Sequence, residues 1–169
     1  MGNKMIVHCY DISPDFNLVQ RACEMTMDGG KSRISNEEIY RCEHSPIRTK
    51  LFWIEMIDIP TFISVHLVRH KIGVEHFVKT NRDDLGGDGE ATRNTPVNHG
   101  MLINAQALIN MARKRLCGKS HEETRKIMRL IKDAVGAIDE DLPNYMVREC
   151  EYRNGICPEK TKCKLYFKG

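Results

Sequence analysis

Arg69, His70 and Lys71 stand together at the exit of an apolar-rich run. Guanidinium forks pair bidentately with phosphate and also stack on flat rings, so this cluster suits a ligand that is anionic and planar. It would equally suit a solvated helix end whose cations offset the negative end of the helix dipole. The tripeptide alone fits both. Arg93, in Arg93-Asn94-Thr95-Pro96, precedes what reads as a helix start, a place that gathers phosphates; a solvated loop arginine is the plainer alternative. His66 and His70 are four residues apart, the spacing that puts two imidazoles on one helix face for a metal. No Glu stands beside His66 as in metalloprotease helices, and Asp83 or Asp84 would have to complete the ligands, so hydrogen-bonding histidines fit better. Cys150, Cys157 and Cys163 lack any Cys-x2-Cys pair, and a zinc site would need Cys117, Cys9 or a histidine besides. Reduced cysteines packing a tail are the favoured reading. No Ser-His-Asp arrangement, Gly-Lys-Ser phosphate loop or Rossmann fingerprint occurs, and Gly86-Gly87-Asp88-Gly89 reads as a hinge.

These residues need elements to position them. Lys4 to Cys9 reads as a strand, and Ser13-Pro14 as the start of a helix running to about Met27. Ser35-Asn36-Glu37-Glu38 is a capping box opening a second helix. Thr49 to Ile57 reads as a strand, Pro60 to Arg69 as a helix, Glu75 to Asn81 as a strand, and Arg82 to Thr95 as a flexible loop. Val97 to Cys117 reads as the longest helix. Within it, Asn104 and Arg115 fall on one side and Gln106, Asn110 and Arg113 on the other. Two opposed polar stripes mean either a solvent face plus a buried network, or a helix wedged between two sites. Ser120-His121-Glu122-Glu123 is a second capping box, opening a helix to about Ala137, and residues 139–169 form a cysteine-containing tail. The class is α+β, a mixed sheet with packed helices and a helix-rich second half, in one domain over 1–169.

Composition bounds the rest. At 169 residues, 41% hydrophobic and 29% charged, the chain has enough length for a real core. A net charge of +3 gives no broad grip on a nucleic-acid polymer, though a local anion pocket is compatible with it. No membrane span or signal peptide is expected, and seven cysteines without a secretory leader point to a reducing cytoplasm.

Taken in order, the pieces resemble the flavin-dependent thymidylate synthase family, as a short and divergent member. That family carries Arg-His-Arg followed by a serine and an arginine, preceded by a His-Ser-Pro element and followed by an Asn-Ala-Arg helix. The matching residues here are His44-Ser45-Pro46, Arg69-His70-Lys71, Arg93-Asn94-Thr95-Pro96, Asn104-Ala105-Gln106, Asn110 and Arg115, continuing into Ser120-His121-Glu122-Glu123. Lys71 departs from the signature's last arginine, Gln106 from an arginine, and His66 from a glutamine. Lys79 stands in the serine place, unless a one-residue bulge brings Thr80 and Arg82 into the serine and arginine places.

The resemblance implies a homotetramer with sites shared between subunits. It implies FAD as cofactor, NADPH and methylenetetrahydrofolate as co-substrates, and one-carbon transfer to carbon 5 of dUMP. Arg115 and Arg93 would be catalytic. His66, Arg69, Lys79, Thr80 and Arg82 would join them in binding the pyrimidine nucleotide. His44, Arg69, His70, Lys71, Asn104, Gln106, Asn110 and His121 would line the flavin, with no metal. Alternatives are hydroxymethylation of dUMP or dCMP, a metal-dependent hydrolase using His66 and His70, and a non-catalytic protein that keeps the scaffold.

Overall fold

A computed structural model describes residues 4–87 and 89–169; Met1, Gly2, Asn3 and Asp88 lie outside it, so the hinge expected at Gly86-Gly87-Asp88-Gly89 falls partly outside the described residues. Its frame is a four-stranded sheet of β1 (Ile6–Asp11), β2 (Leu51–Pro60), β3 (Val74–Val78) and β4 (Pro96–Asn104), ordered β1-β2-β4-β3. The α+β class read from the sequence holds, while the sheet, read as mixed, pairs antiparallel throughout. Burial alternates along the strands, as the two-residue period requires. Phe52, Ile54 and Met56 of β2 and Val97, Met101 and Ile103 of β4 point into the core, joined there by His99.

Among the described residues seven α-helices accompany the sheet: α1 (Asn17–Glu24), α2 (Asn36–Cys42), α3 (Thr61–Leu67), α4 (Ala105–Arg115), α5 (Glu122–Gly136), α6 (Leu142–Tyr145) and α7 (Glu149–Tyr152). Ile63 and Leu67 of α3, Leu108 and Met111 of α4, and Ile127, Ile131 and Val135 of α5 complete one core with the strands. The other sheet face stays open: Trp53 lies 5.4 Å from Phe77 there, and Tyr10 and Phe77 are about half exposed. No helix among the described residues is long and apolar enough to cross a membrane.

Several boundaries move from their expected places. Pro96 to Asn104 is a strand, not the first half of a long helix. Asn104 is the N-cap, its Oδ1 accepting from the Ala107 N–H at 2.9 Å, so α4 begins only at Ala105. Ser13 does not cap α1: its hydroxyl accepts from the Leu51 N–H, tying the loop to β2. Ser35 does form the expected capping box with Glu38. Ser120 does not; His121 caps α5 in its place, Nδ1 accepting from the Glu123 N–H. The segment from Asp139 is tied in at its start, where Asp139 accepts from the Tyr40 hydroxyl at 2.6 Å, and Leu142 and Met146 are fully buried.

Candidate active site

Helix α3 ends at Leu67, so Arg69, His70 and Lys71 lie just past it, in the turn that leads to β3. That turn is pinned by Gly73, whose φ of +74° is open to glycine alone without strain. A Cβ on Gly73 would run into the Asn104 amide, and the Gly73 carbonyl accepts from the Asn104 N–H at 3.0 Å. The capped start of α4 and the turn carrying His70 are thereby held side by side.

Across this junction Arg115, at the end of α4, reaches back to the turn. Its Nε donates to His70 Nε2 at 2.9 Å and its Nη2 to the His66 carbonyl at 2.5 Å. An imidazole nitrogen that accepts from a guanidinium is unprotonated, so His70 is neutral with its proton on Nδ1. Burial first, and Arg115 second, push His70 down to about 4. Burial, with Arg69 nearby, lowers Arg115 itself. The His70 carbonyl in turn accepts from His76 Nε2 at 2.7 Å, and His76 Nδ1 is 2.9 Å from His99 Nε2. Because His76 donates through Nε2, its Nδ1 takes the proton offered by His99. Burial, then His76, push His99 down to about 4 as well, and its buried Nδ1 has no partner. His99, His76 and His70 therefore link the core to the charged Arg115, with the two outer imidazoles held well below the usual range. Sequence reading missed His76 and His99; the inward alternation of β4 was the available signal.

His66 turns the other way. Its Nδ1 bonds the Thr124 hydroxyl at 2.9 Å, and burial, then Arg115, hold it below the usual imidazole range. Its ring meets Phe62 edge-on at 5.7 Å, where His121 also sits edge-on at 4.8 Å and the Arg93 guanidinium lies 5.0 Å over the ring. Phe62 thus gathers His66, Arg93 and His121, and the His66 backbone ties this group to Arg115. Arg93 does not precede a helix, since β4 follows it, so the expected helix-dipole contribution is absent. The four-residue spacing of His66 and His70 produces no ligand pair for a metal: the imidazoles have separate partners, and Asp84 is paired with Arg82.

Searches of sequence and of structure give different answers. No protein-family model matches the sequence, and neither does any curated protein. Thymidylate synthase X from Helicobacter pylori, solved with FAD and dUMP, aligns over 82% of this chain and 99% of its own, at 15% identity and a TM-score of 0.58. A second structure of that enzyme with FAD and dUMP aligns over 85% and 100%, at 13% and 0.63. A UMP/dUMP methylase from Streptomyces cacaoi, bound with 5-bromo-dUMP, aligns over 85% and 94%, at 13% and 0.64. The chain has the fold of the flavin-dependent thymidylate synthases.

On that fold, the remaining expected residues fall into separate groups. Gln106 and Asn110 share a face of α4 with Arg113, as the helical period demands, and Glu43 gathers them. Gln106 Nε2 donates to Glu43 at 2.5 Å, Arg113 pairs with the same carboxylate, and Asn110 Oδ1 accepts from both side chains. Asn104 does not belong to an opposed stripe, because it is the cap. Exposed His44 follows Glu43 and borders a cavity of about 710 Å³ with Arg41 and Cys42. Lys79 and Thr80 lie beyond the end of β3 and are exposed, the Lys79 N–H donating to the Asn98 carbonyl at 2.9 Å, and Arg82 is paired with Asp84. Pairing of β3 with β4 is continuous over Val74–Val78, so no bulge shifts the chain within the strand. The irregularity lies in β2 instead, between Met56 and Ile59, where Asp58 has φ +56°. Arg69 and Lys71 are exposed beside His70.

Proposed function

We propose that this protein is a flavin-dependent enzyme that transfers a one-carbon unit to carbon 5 of dUMP, with methylenetetrahydrofolate as donor and NADPH as reductant. The observation that carries this reading is Arg115, anchored by His70 and the His66 carbonyl with its Nη1 N–H groups lacking a protein partner among the described residues. An arginine aimed by a neutral imidazole is a preorganised donor for an oxygen that gains negative charge. On this reading Arg115 grips the uracil edge, while the exposed Arg93 and Arg69 hold the 5′-phosphate. Lys79, Thr80 and Arg82 belong to this nucleotide end only if the loop after β3 folds inward.

Exposed Arg69 and Lys71 fit the phosphates of FAD, and His44 fits its rim. When bound, the flavin supplies the redox chemistry, and the protein supplies binding and orientation. Asn104, Gln106 and Asn110 act behind that surface: one caps α4 and two are engaged around Glu43. His70 accepts from Arg115 and keeps it charged and aimed. The exposed Ile72, 89% accessible, and the open sheet face beside Phe77 suit a homotetramer whose subunits complete each other's sites. Flavin titration of the purified protein tests the cofactor: quenching of FAD fluorescence is expected, and a folded protein that leaves the fluorescence unchanged overturns the reading. Hydroxymethylation of dUMP or dCMP is the second reading, favoured by Lys79 standing where the family has serine, and product mass separates the two.

A further inference from the structure

His99 takes a position that the alternation of β4 gives to the core, between Val97 and Met101, and it is 1% exposed. Burying an imidazole costs the desolvation of its polar edge, and such a position is ordinarily filled by an apolar side chain. The partner that gives His99 a use there is His76. In the register of β3 and β4, His76 faces Met101 and His99 faces Val78, so the two histidines are diagonal neighbours on the core side of the sheet. Their rings meet edge-on at 5.1 Å, with His76 Nδ1 2.9 Å from His99 Nε2.

The direction of this bond follows from the atom left over. His99 Nδ1 is buried without a partner among the described residues. As a bare nitrogen it is an unused acceptor, whereas as an N–H it would be an orphaned buried donor, the rarer case. His99 therefore donates through Nε2, His76 accepts at Nδ1, and the His76 proton on Nε2 goes to the His70 carbonyl at 2.7 Å. One imidazole thus fixes the tautomer of the next.

The carbonyl that His76 holds belongs to the residue whose ring receives Arg115. The His70 N–H is spent on the Leu67 carbonyl at 3.0 Å, at the end of α3, and the His70 ring accepts from Arg115 Nε at 2.9 Å. His76 closes the turn from the strand side, opposite the Asn104 N–H that holds the Gly73 carbonyl. Taking Arg115 as the residue that grips the base, we propose that His76, oriented by His99, is a positioning residue of the nucleotide site. It anchors the His70 backbone and so keeps the His70 ring where it aims the Arg115 guanidinium.

The test compares His76→Gln, whose amide replaces the Nε2 proton donor, with His76→Phe, which fills the space and cannot donate, in the full chain with FAD added. In native protein carrying nitrogen-15 histidine, the His70 ring should show one fixed tautomer, protonated at Nδ1. His76→Gln should keep that tautomer and a dUMP affinity within about threefold of native. His76→Phe should mix the tautomers and weaken dUMP binding about tenfold, the worth of one hydrogen bond. His99→Leu, an apolar side chain at a core position, should move both readouts the same way, and it decides the matter where His76→Phe does not fold. Equal losses in His76→Gln and His76→Phe, or His70 ring signals unchanged in His76→Phe or His99→Leu, overturn the proposal, whatever the melting temperatures do. Mixed tautomers with dUMP affinity intact overturn it too, provided that Arg115→Ala weakens dUMP in the same assay. An Arg115→Ala variant that binds dUMP normally instead refutes the role of Arg115, and the His70 tautomer alone then decides whether His76 positions the turn.

Discussion

His99 is a buried imidazole whose only ring hydrogen bond among the described residues is to another imidazole, so protonation there has no anion to meet it. Its value falls from 6.5 to about 4, through burial and then His76. Above pH 6.5 the folded and unfolded chains are both neutral at this position, and nothing is lost. As the pH drops below 6.5, the unfolded chain takes up a proton that the folded chain refuses, until the folded imidazole titrates near 4. Stability is therefore lost across that window, by about 3 kcal/mol in full and about 2 kcal/mol by pH 5. His99 is 1% exposed, so solvent screening does not reduce this figure much. Urea unfolding at about pH 7.5 and about pH 5 measures it in the native protein and in His99→Gln, which keeps an N–H for His76 but cannot titrate. The native protein should lose about 2 kcal/mol more than the variant between the two conditions. An equal acid loss in both would refute a neutral His99 with a depressed value.

Arg115→Ala should retain FAD but bind dUMP roughly 10- to 150-fold more weakly by calorimetry, since one charged hydrogen-bond partner is worth about 1.5–3 kcal/mol. Unchanged dUMP affinity counts against its assigned role. Glu43→Ala leaves the Arg113 charge, whose side chain is 11% exposed, without its carboxylate and should cost about 3–5 kcal/mol in urea unfolding; a loss under about 1 kcal/mol would mean that water already screens the pair. Gly73→Ala strains a φ of +74° and presses on the Asn104 amide, so the melting temperature should fall by several degrees or more, and an unchanged midpoint would contradict the packing described.

Much of the frame is legible in the residues. Alternation and branched residues mark β2, and Ser35 with Glu38 marks α2, because both signals are local. The stretch from Val97 to Ile103 misleads, because an apolar run flowing into a helix keeps both periods alive. Only the side chain of Asn104, turned back to the Ala107 N–H, marks the boundary. Lone residues deceive more easily: Ser13 and Ser120 both precede helices, yet one bonds β2 and the other leaves capping to His121. Arg69, His70 and Arg115 are visible as candidate site residues, since each carries its chemistry in its type. Their mutual geometry is not visible, because His70 and Arg115 meet across 45 positions, Glu43 and Arg113 across 70, and His76 and His99 through strand register. Lys79, Thr80 and Arg82 show the opposite case, in which sequence proximity to the signature does not bring the side chains to Arg115.

The most direct test of the proposed activity is the mass of the nucleotide after incubation of the flavin-loaded protein with NADPH, methylenetetrahydrofolate and either dUMP or dCMP. The account predicts that dUMP gains one methylene and dCMP is unchanged. A product that also carries an added oxygen would replace methylation with hydroxymethylation, and nucleotides unchanged in mass would contradict one-carbon transfer altogether.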